Sequence, residues 1–107
     1  SDMMDNYHNL INEYYKEWKL PKLYAQMLFI TPNRLNAICK EVAGINATEF
    51  IRRRVILEAK RLLTHTAMTV TQIAYELGFE DNSHFGKYFK SEINETPEKF
   101  RINFNNK

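Results

Sequence analysis

With 107 residues, 44% of them apolar, the chain holds one small domain's worth of material and leaves little room for a catalytic domain of ordinary size. Three glycines and three prolines starve a many-turned β-sandwich or barrel of its turn residues and favour long helices, so composition reads as all-α. Fifteen Lys plus Arg against thirteen Asp plus Glu give a net charge of +2, too even to argue a nucleic-acid partner from bulk charge, although residues 1–20 carry −2 and the remainder +4.

The first helix is expected from about Asp2 to Trp18, with Leu10, Ile11, Tyr14, Tyr15 and Trp18 at helical spacing. Pro21 suits the first turn of a second helix, whose Leu23, Ala25 and Leu28 should point inward, although Leu20 is a poor N-cap. Thr31 and Pro32 open a third helix, in which Leu35, Ile38, Cys39 and Val42 recur at i, i+3, i+4, i+7 until Gly44 stops it. Asn46 with Glu49 begins a long fourth helix to about Leu63, burying Phe50, Ile51, Val55, Ala59 and Leu62. Thr69 with Gln72 forms a capping box for a short fifth helix that buries Ile73, Ala74 and Leu77 and closes at Gly78. Asp81 caps a sixth, with an inner stripe of Phe85, Tyr88, Phe89 and Ile93. Thr96 and Pro97 open a seventh that ends near Asn103, and residues 105–107 should fray.

A repeat emerges when the third and sixth helices are superposed in sequence. From Leu35 onward an offset of 50 matches Leu35 with Phe85, Cys39 with Phe89, Lys40 with Lys90 and Phe50 with Phe100; before it an offset of 49 matches Ala25 with Ala74 and Leu28 with Leu77. Each copy is helix, turn, helix, with a small alanine where the helices approach and the second helix offered outward. The boundaries are about 20–44 for the first such unit, 46–64 for the linking helix and 69–94 for the second.

Opposite the inner stripes lie Asn33, Arg34, Asn36, Ala37 and Lys40 on one helix, and Asn82, Ser83, Gly86, Lys87 and Lys90 on the other. Amides and guanidiniums suit base edges, and lysines suit phosphates. The expected base-reading set is Asn33, Arg34, Asn36, Asn82, Ser83 and Lys87, and the expected phosphate set is Thr31, Lys40, His84 and Lys90. Any surface helix turns polar residues outward; what distinguishes this pair is that cap, turn and polar face occur twice. The cluster Arg52, Arg53, Arg54, Lys60 and Arg61 reads equally as a phosphate patch or as a face that is solvated or paired to acids. Three histidines without metal-ligand spacing and one inward cysteine, Cys39, give no metal, cofactor, disulfide or catalytic constellation. No apolar run is long enough for a transmembrane helix or a signal peptide, so a membrane partner is not expected.

Val70 to Arg101 resembles the signature of the AraC/XylS-type transcription regulators, through Ile73-Ala74, Gly78-Phe79, Asp81, Ser83, Phe85, Phe89-Lys90, Thr96-Pro97 and Arg101. The upstream half is similar through Ala25, Leu28, Leu35, Lys40, Gly44, Ile51 and the run Ala59 to Leu63. Three positions depart from the family pattern: Asn94 stands at a usual glycine, Cys39 at a usual Phe, and Ala37 where relatives often place a long base-contacting side chain. The resemblance implies seven helices in two helix-turn-helix units joined by a long helix, in a bacterial, cytoplasmic regulator. It implies double-stranded promoter or operator DNA as the partner, with RNA polymerase engaged through the full-length protein. It also implies a preceding sensing or dimerising region, so the chain is read as a C-terminal piece with no small-molecule ligand of its own. The two recognition helices are expected in successive major-groove segments. A helical protein-interaction module using the same faces is the alternative reading, and a small enzyme a distant third.

Overall fold

From the third helix on, helix starts in this protein are fixed by side chains that accept the first free backbone N–H groups, whereas Leu20 ahead of the second helix makes no such bond. A computed structural model describes residues 2–106 and shows seven helices: α1 (Asp2–Tyr14), α2 (Pro21–Met27), α3 (Pro32–Ala43), α4 (Ala47–His65), α5 (Val70–Glu76), α6 (Asn82–Ile93) and α7 (Pro97–Asn105). Among the described residues there is no strand. Thr31 Oγ1 accepts from Arg34 N at 3.0 Å, Asn46 Oδ1 from Glu49 N at 2.8 Å, Asp81 Oδ1 from His84 N at 2.8 Å and Thr96 Oγ1 from Lys99 N at 3.1 Å. The Thr69–Gln72 capping box closes in both directions. Each such cap contributes about 1 kcal/mol to its helix.

Helix ends follow the same logic. Gly44 terminates α3 and Asn94 terminates α6 in the left-handed region, at φ 77° and 69°. Asparagine therefore does the work of the usual glycine, at modest cost. At the chain end α7 runs on through Asn105 rather than stopping near Asn103; Lys107 lies outside the described residues.

The chain divides into two compact units, Ser1–Arg54 and Val55–Lys107, with the boundary inside α4. In the first, Tyr7, Ile11, Tyr24, Ala25, Leu35, Cys39 and Ile51 are buried. The Tyr7 hydroxyl donates to the Ala47 carbonyl at 2.7 Å, tying α1 to the start of α4. Its ring meets Tyr24 and Phe50 edge-on. Burial, and more weakly Cys39 and Tyr24, push the phenol well above its ordinary range, and burial pushes the Cys39 thiol up.

Three expectations about this unit are corrected. Helix α1 stops at Tyr14 instead of Trp18: Glu17 N and Trp18 N both turn back onto the Tyr14 carbonyl at 3.0 and 2.8 Å, and beyond that turn side chains take the carbonyls, Lys19 Nζ donating to Lys16 O at 2.7 Å and Tyr24 Oη to Trp18 O at 2.8 Å. Leu23 is exposed, and Tyr24 goes inward beside Ala25, since the larger ring fills the space against Tyr7 and Trp18. Val42, near the end of α3, is also exposed.

In the second unit Val55, Ala59, Leu63, Ile73, Ala74, Leu77, Phe85 and Phe89 form the core, each side chain larger than alanine stabilising by about 1.5–3 kcal/mol on burial. Arg101 closes the open end of α4: Nε donates to the Leu63 carbonyl at 2.8 Å and Nη2 to Leu62 at 3.4 Å. The repeat extends to the turns. Gly78 and its counterpart Phe29 both have positive φ, 85° and 59°, and Phe29 is 94% exposed.

Candidate nucleic-acid interface

A helix that reads DNA must be anchored by one face and leave the opposite face free. On α3 the anchors are Leu35 and Cys39, both fully buried, with Ile38 half-buried. Asn33, Arg34, Ala37 and Lys40 are exposed. On α6 the anchors are Phe85 and Phe89, and Ser83, His84, Lys87 and Lys90 are exposed. Phe79 packs against Phe85 and Tyr88 and receives the His84 ring edge-on at 5.2 Å, which holds that imidazole beside the first turn of α6.

Within each unit, then, the expected side chains share one helix: Asn33, Arg34, Asn36 and Lys40 on α3, and Asn82, Ser83, His84, Lys87 and Lys90 on α6. Thr31 stands just ahead of α3 as its cap. Two asparagines are engaged inside the protein as well. Asn36 is half-buried, and its Oδ1 accepts from the Ala47 backbone N–H at 3.0 Å. Asn82 Nδ2 approaches Thr71 Oγ1 at 3.4 Å, a long bond that orients the amide across the first turns of α5 and α6.

Three arginines of α4 are paired or packed within the protein. Arg53 meets Glu49 at 3.3 Å and Arg61 grips Glu58 with two bonds of 2.7 and 2.8 Å. Arg54 lies 4.2 Å over the Tyr15 ring while donating to Asn12, and Lys60 sits over Phe100.

Lys22 and Thr48 were not in the expected set. They line a groove of about 380 Å³ with Pro32, Asn33, Asn36 and Asn46, where the first turns of α2, α3 and α4 converge. The repeat itself carried the signal, because an offset of 49 pairs Lys22 with Thr71, the residue that Asn82 touches.

Residues 24–103 match the family model described as a helix-turn-helix domain. The chain belongs to the AraC/XylS-type helix-turn-helix family. This membership makes it a DNA-binding module of transcription regulation. It is 31% identical over 77 residues to the HTH-type transcriptional activator RhaS of Escherichia coli O139:H28, a match covering 72% of this chain and 28% of RhaS. RhaS of Salmonella schwarzengrund is 29% identical over 91 residues, covering 85% of this chain and 33% of that protein. The chain thus spans about a third of the length of these curated relatives. Among solved structures, the C-terminal domain of the response regulator yesN from Fusobacterium nucleatum superposes with a TM-score of 0.84 at 27% identity, over 94% of this chain and 99% of that one. The DNA-binding domain of AdpA, determined with a target DNA, shares the AraC/XylS-type fold at a TM-score of 0.82 and 13% identity, over 97% of this chain and 93% of that one.

Among the described residues no cluster of three His, Cys, Asp or Glu side chains is placed to hold a metal ion, and no helix is long and apolar enough to cross a membrane.

Proposed function

We propose that the chain reads specific duplex DNA sequences through α3 and α6, in successive major-groove segments, as part of a cytoplasmic bacterial regulator that also engages RNA polymerase. The observation that carries this reading is the duplication itself: two capped helices, each anchored by a buried pair one turn apart, each turning amides and cations outward. The module is proposed to act without a catalytic step or small-molecule ligand, with its helix-turn-helix units at about residues 20–44 and 69–94 and the linking helix at about 46–64.

Base reading is assigned to Asn33, Arg34, Asn82, Ser83 and Lys87, and phosphate holding to Lys40, His84 and Lys90. Thr31 serves chiefly as the cap that keeps the α3 amides aimed, and Asn36 chiefly as the brace for α4, so both act on the interface through the backbone they hold. The test compares Arg34→Ala, Asn82→Ala and Lys90→Ala on a duplex selected from a randomised pool and on random duplex, at several salt concentrations. Loss of a base contact costs about 1–3 kcal/mol on the selected site and almost nothing on random DNA. Loss of the lysine weakens both and lowers the salt slope by about one. Equal losses on both duplexes for Arg34→Ala and Asn82→Ala would overturn the base-reading roles.

The second reading, a protein-interaction module, is favoured at one place. Trp18, Leu23, Gln26, Met27 and Phe29 line an apolar hollow of about 530 Å³ in the first unit. Binding there would be nearly independent of salt, whereas phosphate neutralisation is steeply salt-dependent.

A further inference from the structure

Gly86 lies in the middle of α6, where glycine is the least suitable residue other than proline, because it exposes backbone and loses the most conformational freedom on folding. Such a glycine usually marks a left-handed backbone or a neighbour too close for a methyl group. Neither holds here. Its backbone is helical, and a Cβ built on it meets nothing within 4 Å apart from its two chain neighbours and the backbone of its own helix.

The first unit supplies a comparison within the same molecule. An offset of 50 pairs Gly86 with Asn36 and Pro97 with Ala47. Asn36 has a duty, accepting the Ala47 N–H; Pro97 has no N–H, so position 86 has no such duty. That accounts for the absence of a polar side chain, but alanine would satisfy the same condition and strengthen the helix. Folding alone therefore gives no reason for glycine. The flank it occupies carries Asn82 one turn earlier and Lys90 one turn later, the residues assigned above to a base edge and a phosphate.

We infer that Gly86 is where the backbone of α6 comes closest to bound DNA, its missing side chain admitting the duplex between the Asn82 and Lys90 contacts. This rests on the DNA-reading role proposed for α6. The helix is seated deeper in the groove than an alanine would permit, at the expense of its own stability.

The test uses the 107-residue chain, a duplex that the unaltered chain selects from a randomised pool, and the variants Gly86→Ala, Gly86→Ser and Lys90→Ala. Stability and affinity should move in opposite directions for Gly86→Ala. Its melting temperature rises by a few degrees, since the helix gains a better former at an unobstructed position. Its affinity for the selected duplex falls by about tenfold or more, and Gly86→Ser falls at least as far. Unchanged affinity in a folded Gly86→Ala, with Lys90→Ala still weakened, overturns this inference alone. A lowered melting temperature also overturns it, by showing that the fold itself needs the glycine. If the unaltered chain selects no duplex, or Lys90→Ala binds as the unaltered chain does, the DNA-reading role of α6 falls and takes this inference with it.

Discussion

The Asn36 side chain reaches out of α3 to the first turn of α4, where its Oδ1 accepts the buried Ala47 N–H at 3.0 Å. Removing it strands a donor at the one position of α4 that Tyr7 also grips through the carbonyl. Asn36→Ala should cost about 1–3 kcal/mol in denaturant unfolding. Because proline at the first helical position needs no acceptor, Ala47→Pro should cost little beyond its fit. The double variant Asn36→Ala with Ala47→Pro, which removes the donor together with its acceptor as in the second unit, should be more stable than the sum of the single effects predicts. Strict additivity, within about 0.5 kcal/mol, would show that the two residues are not coupled.

Tyr7 and Lys19 set opposite responses to alkaline pH. The Tyr7 phenol is held above its ordinary 10.0 in the folded protein, so the unfolded chain loses this proton first and stability falls as pH rises beyond about 10. Burial lowers Lys19 to about 8 from 10.5, against a smaller raising effect of Glu17. Between those values the unfolded chain binds more protons, and stability rises with pH through that window. Thermal melts from pH 7 to 11 should show Tyr7→Phe removing the alkaline loss and Lys19→Met removing the rise. A Tyr7→Phe profile parallel to that of the unaltered chain would contradict the burial assigned to the phenol.

Phe29 and Gly78 occupy the same place in the two turns, and both are left-handed. Bulky residues pay about 1–2 kcal/mol for that conformation, and with 94% of its surface exposed Phe29 recovers almost none of it by packing. Phe29→Gly should therefore stabilise the chain, by up to about 1 kcal/mol after the added freedom of the unfolded glycine is deducted, and Gly78→Ala should destabilise it by a similar amount. Calorimetry on the two variants checks both signs.

Cys39 and Phe89 anchor equivalent turns of α3 and α6 with very different volumes. Phe89→Ala should cost about 3–5 kcal/mol, and Cys39→Ala about 1 kcal/mol, since only one heavy atom is withdrawn from the core. The Cys39 thiol is fully buried and its ionisation suppressed, so alkylation by iodoacetamide should proceed only through opening of the fold and should accelerate with denaturant. Rapid labelling under native conditions would place Cys39 outside the core.

What the sequence revealed was mostly local. The caps at Thr31, Thr69, Asp81 and Thr96 act across three residues, so residue type and spacing sufficed to locate them. The inward alanines Ala25 and Ala74 and the anchors Leu35, Cys39, Phe85 and Phe89 were equally legible, because helical periodicity and the repeat agreed on them. Orientation near helix ends was not. Whether Leu23 or Tyr24 turns inward depends on the rings across from α2, and whether Val42 is covered depends on what lies beyond the last turn of α3. The outward polar face showed where a ligand could be read, but the bond from Asn36 to Ala47 spans eleven residues and separates two asparagines that look alike in sequence.

The Arg101 clasp on α4 also sets an order of assembly during translation. The carbonyls of Leu62 and Leu63 are made long before their partner, which follows Leu63 by 38 residues. At cellular synthesis rates that interval is about 2–8 s. The unit up to Arg54 has all its own ties, including Tyr7 to Ala47, before this interval begins. A nascent chain would therefore carry a finished first unit and an α4 whose far end stays open to water, and to any chaperone that binds it, until α7 emerges.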